Sequence, residues 1–328
     1  GKALDAAALA RSQDFNALGV KPLQGQITRD ATAFANERNL RSVAGVGEPI
    51  MQRLEAQNVA LQDAVGGYAN GARDTYNAGR GIADALKRYD ATQKSGVDKL
   101  YGMARDELGR ASPMDAHVFS TNANHALDSE MLGHYLPGEV RGILNSISKG
   151  EIPLTVDSAV KIDQVLSAAQ RSAGNGSPQA LAIGKVRDAL NSTPIADNVG
   201  EAAKAAFDKA RAAARSRFGV IDNNPALKAS IDDAIPVDNF VQRFVRGGSV
   251  DELRNLRAIL PQEQVSQIRA QIGADLQRAA FGENVAGDKI FAPERYAKAL
   301  RDVGDDKLKL FFSPDEVARM HRVSRVGA

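Results

Sequence analysis

Three four-residue segments, Ser112-Pro113-Met114-Asp115, Ser249-Val250-Asp251-Glu252 and Ser313-Pro314-Asp315-Glu316, have the form of a helix N-terminus. In each, a serine stands where its hydroxyl can accept from the N–H three residues on, and an acidic side chain at that third position can reach back. In two of them proline takes the first helical position, where its missing N–H costs nothing. Asn224-Pro225 and Ser177-Pro178 open helices in the same way. Gly174-Asn175-Gly176 and Gly247-Gly248 read as helix stops, because glycine takes the left-handed cap conformation cheaply. No run of alternating β-branched residues bounded by turns competes with this punctuation. The chain therefore reads as all-α, an elongated multi-helix array.

From Ile50 to Leu108 the apolar pattern is longer than any single ordinary helix. Leu54, Leu61, Tyr68, Ile82, Tyr89 and Met103 share one heptad position, and Val65, Ala72, Leu86 and Leu100 share the position four residues later. Such a stripe predicts one or two very long helices with a coiled-coil-like seam. Asn58, Thr75, Gly79, Gln93 and Gly96 interrupt it. Gly66-Gly67, Gly71, Gly79 and Gly81 each cost roughly 1 kcal/mol against alanine in a helix interior, so a bend or hairpin is expected at one of these clusters. An intramolecular hairpin is favoured over an intermolecular coil, since short connections make sequential helices neighbours. Shorter helices follow at about 114–132, 137–148, 156–173 and 178–191, the third offering Val156, Val160, Val165, Leu166 and Ala169 as its buried face. Breaks near 109–113 and 192–198 divide the chain into three expected regions. These are a long-helix region at 1–110, a small helical bundle at 111–195 and a C-terminal helical bundle at 196–328.

Composition narrows the function. Hydrophobic residues reach 43 %, enough to bury a core, yet much of that is alanine, aromatics are 5 % and tryptophan is absent. Alanine helices form readily but bury little area per residue, so the core is thin, which suits an assembly better than a compact enzyme. With 42 basic residues against 40 acidic, the overall balance provides no pull towards phosphate or membrane. The lack of cysteine excludes disulfides, thiolate metal sites and cysteine nucleophiles. No stretch approaches the roughly 18 apolar residues of a membrane-spanning helix, so no integral membrane segment is expected. Gly1-Lys2-Ala3-Leu4-Asp5 has no apolar core of a secretory leader. A glycine at position 1 is what an expression scar or a processed fragment leaves, and a longer natural protein is expected.

Asp115, His117, His125, Asp128, Glu130 and His134 gather in one segment, and His125 and Asp128 would share a helix face. No spacing there sets two histidines one turn apart, so solvated or capping roles are expected rather than a metal site. No Gly-x-Ser-x-Gly elbow occurs. Gly45-Val46-Gly47 lacks the third glycine and the strand of a dinucleotide loop, and Gly79-Arg80-Gly81 sits in a helical pattern. Dispersed carboxylates leave a cell-wall hydrolase as the residual enzymatic reading. The expectation is a non-enzyme with no cofactor and no metal. Two basic stretches remain: Lys204, Lys209, Arg211, Arg215 and Arg217, facing only Glu201 and Asp208, and Arg319, Arg322 and Arg325 in the last helix. Such stripes could lie along a nucleic-acid backbone or an acidic partner, so a helical nucleic-acid-binding protein is the alternative reading, against a plain solubilising face.

The last third carries a resemblance. It rests on Asn239-Phe240-Val241-Gln242-Arg243-Phe244-Val245, Ser249 to Leu253 and Leu256, and then on Phe291-Ala292-Pro293-Glu294-Arg295-Tyr296, Ala299-Leu300, Gly304, Lys307-Leu308, Leu310-Phe311-Phe312-Ser313-Pro314 and Glu316. Residues 239–326 resemble a helical segment that recurs in large tailed-phage and prophage proteins, some of them virion-associated and regarded as ejected with the genome. Those motifs are caps, core leucines and an aromatic pair, so no active-site residue is carried over. Some ejection proteins bear a lytic transglycosylase domain, and no sign of its catalytic segment occurs here. What the resemblance implies is a virion structural or ejection segment, acting as a helical interaction module in assembly or genome delivery. Its partners would be other virion proteins or copies of itself, with DNA contact at the basic stretches. Its location would be the virion, then the host envelope or cytoplasm after ejection.

Overall fold

The computed structural model describes residues 4–108, 112–196, 201–282 and 289–328, and among these there are 17 α-helices and no strand. The first group is α1 (Ala6–Ala17), α2 (Gln24–Thr28), α3 (Ala31–Leu40), α4 (Gly47–Gly66) and, after a 3-10 turn at Gly67–Ala69, α5 (Thr75–Leu108). The middle holds α6 (Ala116–Ser129), α7 (Gly138–Ser148), α8 (Val156–Ala173), α9 (Pro178–Asn191), α10 (Glu201–Asp222) and α11 (Pro225–Asp232). The last group is α12 (Val237–Phe240) running into a π-helical turn at Val241–Arg246, then α13 (Val250–Ile259), α14 (Gln262–Ala280), α15 (Pro293–Val303), α16 (Asp305–Phe311) and α17 (Pro314–Gly327). Two compact units result: Gly1–Ile82 with Val237–Ala328, and Ala83–Pro236. The cuts fall inside α5 and before α12, not at the sequence breaks near 109–113 and 192–198, parts of which lie outside the described residues.

In the first unit α14 is the hub, packing on α4, α15, α16 and the 3-10 turn. Close approach is built in by glycine. A Cβ on Gly273 would come within 2.1 Å of the Tyr68 carbonyl oxygen, and one on Gly79 would come as close to that of Val237. The expected bend falls at the first glycine cluster. There α4 stops at Gly66, and Gly71 takes φ +82° before α5 starts. The heptad stripe is thereby split. Leu61, Val65, Ile82 and Leu86 are buried but Met103 is 62 % exposed, so no continuous seam forms. α4 instead packs on α14 and α17.

One ion pair ties this unit together. The Arg269 guanidinium on α14 donates to both Glu316 oxygens on α17, and at 3.1 Å to the Phe311 carbonyl. Its Cζ lies 4.6 Å from the Phe312 ring centroid and 5.7 Å from that of Tyr68. Glu316 also closes the capping box of α17, accepting from the Ser313 N–H at 2.9 Å while its own N–H donates to the Ser313 hydroxyl. The Arg269 hydrogen bond is the largest cause holding the Glu316 carboxyl down at about 2, against an ordinary glutamate value of 4.5. A depressed folded-state value contributes stability above the unfolded value, and that contribution is lost as pH falls from 4.5 towards 2. Glu316→Gln should therefore destabilise the first unit by about 2 kcal/mol at neutral pH and by much less near pH 2, as denaturant titration at the two pH values would show.

The second unit has one main core, in which Phe119, Leu127, Val140, Leu144, Ile147, Leu166, Ile183 and Leu190 are buried among α6, α7, α8 and α9. Helices α8 and α9 have the expected bounds, and Ser177 caps α9 through the Ala180 N–H. The expected cap at Ser112 does not form. Pro113 and Met114 are extended, bridged to Thr155 and Ile195, and the cap of α6 is Asp115, whose carboxylate accepts from the Val118 N–H at 3.0 Å. The Met114 N–H donates to Leu154 and the Ala196 N–H to Pro113, so backbone pairing on both sides outcompetes an earlier helix start. On α8 the buried face is Val156, Ala159, Ile162 and Leu166, while Val165 is 53 % exposed. A second, thinner core joins α5 to α10 through Tyr101, Ala104, Phe207, Ala210 and Ala214.

Candidate functional site

Within the second unit, one face each of α5, α9, α10 and α11 opens onto a cleft of ≈ 440 Å³. Helical spacing brings its residues together: Asp90, Lys94, Val97, Asp98 and Tyr101 on α5, and Gly184, Arg187, Asp188 and Asn191 on α9. Arg217 of α10 grips Asp90 with two hydrogen bonds, 2.8 and 2.9 Å long. Their side chains are 14 % and 11 % exposed, so this pair is largely removed from water. Lys185 meets Glu130 at 2.9 Å. Arg187 holds Asp163 bidentately and donates to the Gln170 side-chain oxygen at 2.9 Å.

Two polar groups in this cleft are left over. Among the described residues the Asp188 carboxylate accepts no hydrogen bond and forms no ion pair. Protein displaces most of its water although one edge stays open to the cleft, and this desolvation pushes its pKa up to about 6, against the lowering pull of Arg217, Lys185, Lys94 and Arg187. The Tyr101 hydroxyl is buried and has no partner. Burial likewise raises its pKa, to about 12. On α11, burial also raises the pKa of Asp232, against the pull of Lys228 and Lys185. None of these groups is marked by a motif.

The structure disperses the basic residues singled out from the sequence. Arg217 is committed to Asp90, and Arg211 lies 3.4 Å from Asp208. Arg322 and Arg325 both reach Asp14 of α1, the latter at 2.7 Å and 2.9 Å. Those arginines hold Asp14 below the usual carboxylate range. Lys204, Lys209 and Arg215 stay exposed along α10, as does Arg319 on α17, with no ion pair among the described residues. The side chain of Glu201 lies outside the described residues. In the histidine segment, His117, His125 and His134 are all exposed, and among the described residues no three His, Asp or Glu side chains converge to hold an ion.

Compared with family models, curated proteins and solved structures, the chain matches none.

Replacing one partner of the largely buried pair leaves the other charge uncompensated. Arg217→Gln should cost the second unit about 3 kcal/mol, whereas Lys209→Gln should stay within about 0.5 kcal/mol, both read by denaturant unfolding. Asp188 has the opposite sign. Its folded-state pKa, about 6, lies above the ordinary value of 3.8, so its stabilising contribution is complete below the unfolded value and is lost as pH rises through 6. Asp188→Asn should accordingly raise the unfolding free energy at about pH 7.5 by on the order of 1–2 kcal/mol, with the gain fading towards pH 4; calorimetry across that range measures it.

Proposed function

We propose that the chain is a structural or ejection segment of a tailed-phage or prophage virion, acting as a helical interaction module in particle assembly or genome delivery and carrying out no catalysis of its own. The observation that carries this reading is where the motif residues of 239–326 sit. Phe240, Val241, Phe244, Leu253, Leu256, Tyr296, Leu300, Leu308, Phe311 and Phe312 are buried, and Ser249 and Ser313 each form a capping box with the glutamate three residues on. A segment resembling ejection-type proteins thus consists of packing and capping, the part a recurring assembly module needs to keep. The thin α5–α10 core supports the same reading, because little apolar area has to be uncovered when a chain is threaded through a narrow channel. Among the described residues no helix is long and apolar enough to cross a membrane.

The partners on this reading are other virion proteins or further copies of the chain, and the setting is the virion, then the host envelope or cytoplasm. DNA contact on this reading falls to the exposed Lys204, Lys209, Arg215 and Arg319, since Arg211, Arg217, Arg322 and Arg325 are engaged by Asp208, Asp90 and Asp14. Mass spectrometry of purified particles from the source phage or induced prophage should detect this chain as a stoichiometric component. Its consistent absence from particles that are otherwise complete would overturn the assignment.

A further inference from the structure

We propose that the cavity between the first turns of α10 and the segment after α9 binds a phosphate dianion, held by Arg211 and Lys204 with the Tyr101 hydroxyl and Arg105 beside them. The inference concerns a ligand site within the second unit and does not rest on the virion reading. Its first support is a cluster of unanswered donors. Among the described residues five buried side-chain polar atoms have no hydrogen-bond partner, and three of them are the Tyr101 hydroxyl and the Nε atoms of Arg105 and Arg211. All three border the thin α5–α10 core. Tyr101 and Arg105 are one turn apart on α5, and the Arg105 Cζ lies 5.9 Å from the Tyr101 ring centroid. Across from them the Phe207 ring centroid is 6.0 Å from that of Tyr101, and Arg211 follows Phe207 by one turn of α10. Burial aside, the charges acting on the Tyr101 hydroxyl are those of Arg211, Arg105 and Arg215, with no carboxylate among them.

The second support is uncompensated charge. Arg105, Arg215 and Lys204 form no ion pair among the described residues. Arg211 has only Asp208, which is 57 % exposed and 3.4 Å from a terminal nitrogen, a contact that leaves its Nε unanswered. Four cations thus share one carboxylate. Buried donors without partners are costly to a fold, and water would satisfy them singly while leaving the charge in excess. A dianion answers both, and the guanidinium fork matches phosphate oxygens. The third support is room. Lys204, Asp208 and Arg211 line a cavity of ≈ 220 Å³ together with Pro194, Ile195 and Phe207. It falls short of the roughly 300–1,000 Å³ of drug-sized sites, so it suits a small ion or a terminal phosphate and not a whole nucleotide. Phe207 joins cavity to core, since the ring that lines the one packs on Tyr101 in the other. Its apolar neighbours keep water back, which strengthens charge pairing there.

The test uses the full chain, with inorganic phosphate and glycerol phosphate as probes and dimethyl phosphate and acetate as comparators. Titration calorimetry at about pH 7.5, where the probes are largely dianions, is run against sodium chloride of equal ionic strength. At least one probe should bind saturably, and roughly tenfold tighter than either singly charged comparator. The tighter of the two probes identifies the source, a free ion or a phosphorylated compound. Arg211→Gln should weaken binding roughly tenfold or more, and Tyr101→Phe roughly three- to tenfold. NMR of the arginine Nε–H groups in the unmodified chain supplies a readout independent of any variant: saturating phosphate should shift the Arg211 and Arg105 signals, and chloride of equal ionic strength should not. No saturable binding of either probe, equal binding of dimethyl phosphate or acetate, undiminished binding by a folded Arg211→Gln chain, or an unmoved Arg211 Nε–H signal would each overturn the proposal.

Discussion

The Arg269 guanidinium joins four pieces of the first unit, because it offers several N–H donors and a cation that aromatic rings attract. Its N–H groups satisfy the Glu316 carboxylate and the Phe311 carbonyl, while its Cζ stays within cation–π reach of two aromatic rings. Four pieces of chain meet there: α14, α17, the end of α16 and the 3-10 turn that carries Tyr68. A lysine could neutralise Glu316 but could not make the bidentate contact. The same carboxylate also caps α17, so loss of the pair and loss of the cap are one event rather than two. Gly273 serves the same junction from below, since any larger residue would push the Tyr68 turn off α14.

The part of this architecture legible in the sequence is the part written locally. Ser177, Asn224, Ser249 and Ser313 cap the helices their local pattern assigns them, because a capping bond spans three residues and involves little else. Ser112 has the same local pattern and fails, since Leu154 and Pro194 offer its neighbours backbone partners that no short window displays. The heptad stripe shows the same limit from the other side. Its apolar spacing is real, and Leu61, Val65, Ile82 and Leu86 are buried as it implies. What Leu61 and Val65 of α4 pack against is decided by α14 and α17, some two hundred residues further on, so the pattern fixes faces but not partners.

Charge was the least legible property. Arg325 and Asp14 are 311 positions apart, and Arg217 and Asp90 are 127 apart. Counted in a window, the arginines of α10 and α17 form basic stripes; folded, several of them are internal fasteners. The reverse holds for Asp188, which reads as one more acid on a soluble helix and becomes conspicuous only when α5, α10 and α11 close around it. Pairing subtracts charge from the surface and leaves a remainder elsewhere, and only the fold reveals where.

The first unit is assembled from both ends of the chain, whereas the second is one uninterrupted stretch, and this sets an order of events during synthesis. The middle, Ala83–Pro236, has all its contact partners as soon as it has emerged from the ribosome. Helices α1 and α4 do not: Phe15, Leu61 and Val65 wait for α14 and α17, which at ordinary elongation rates arrive roughly ten to fifty seconds later. During that interval α1 and α4 carry uncovered apolar faces. The exposure of these faces to aggregation thus ends only when α17 is made.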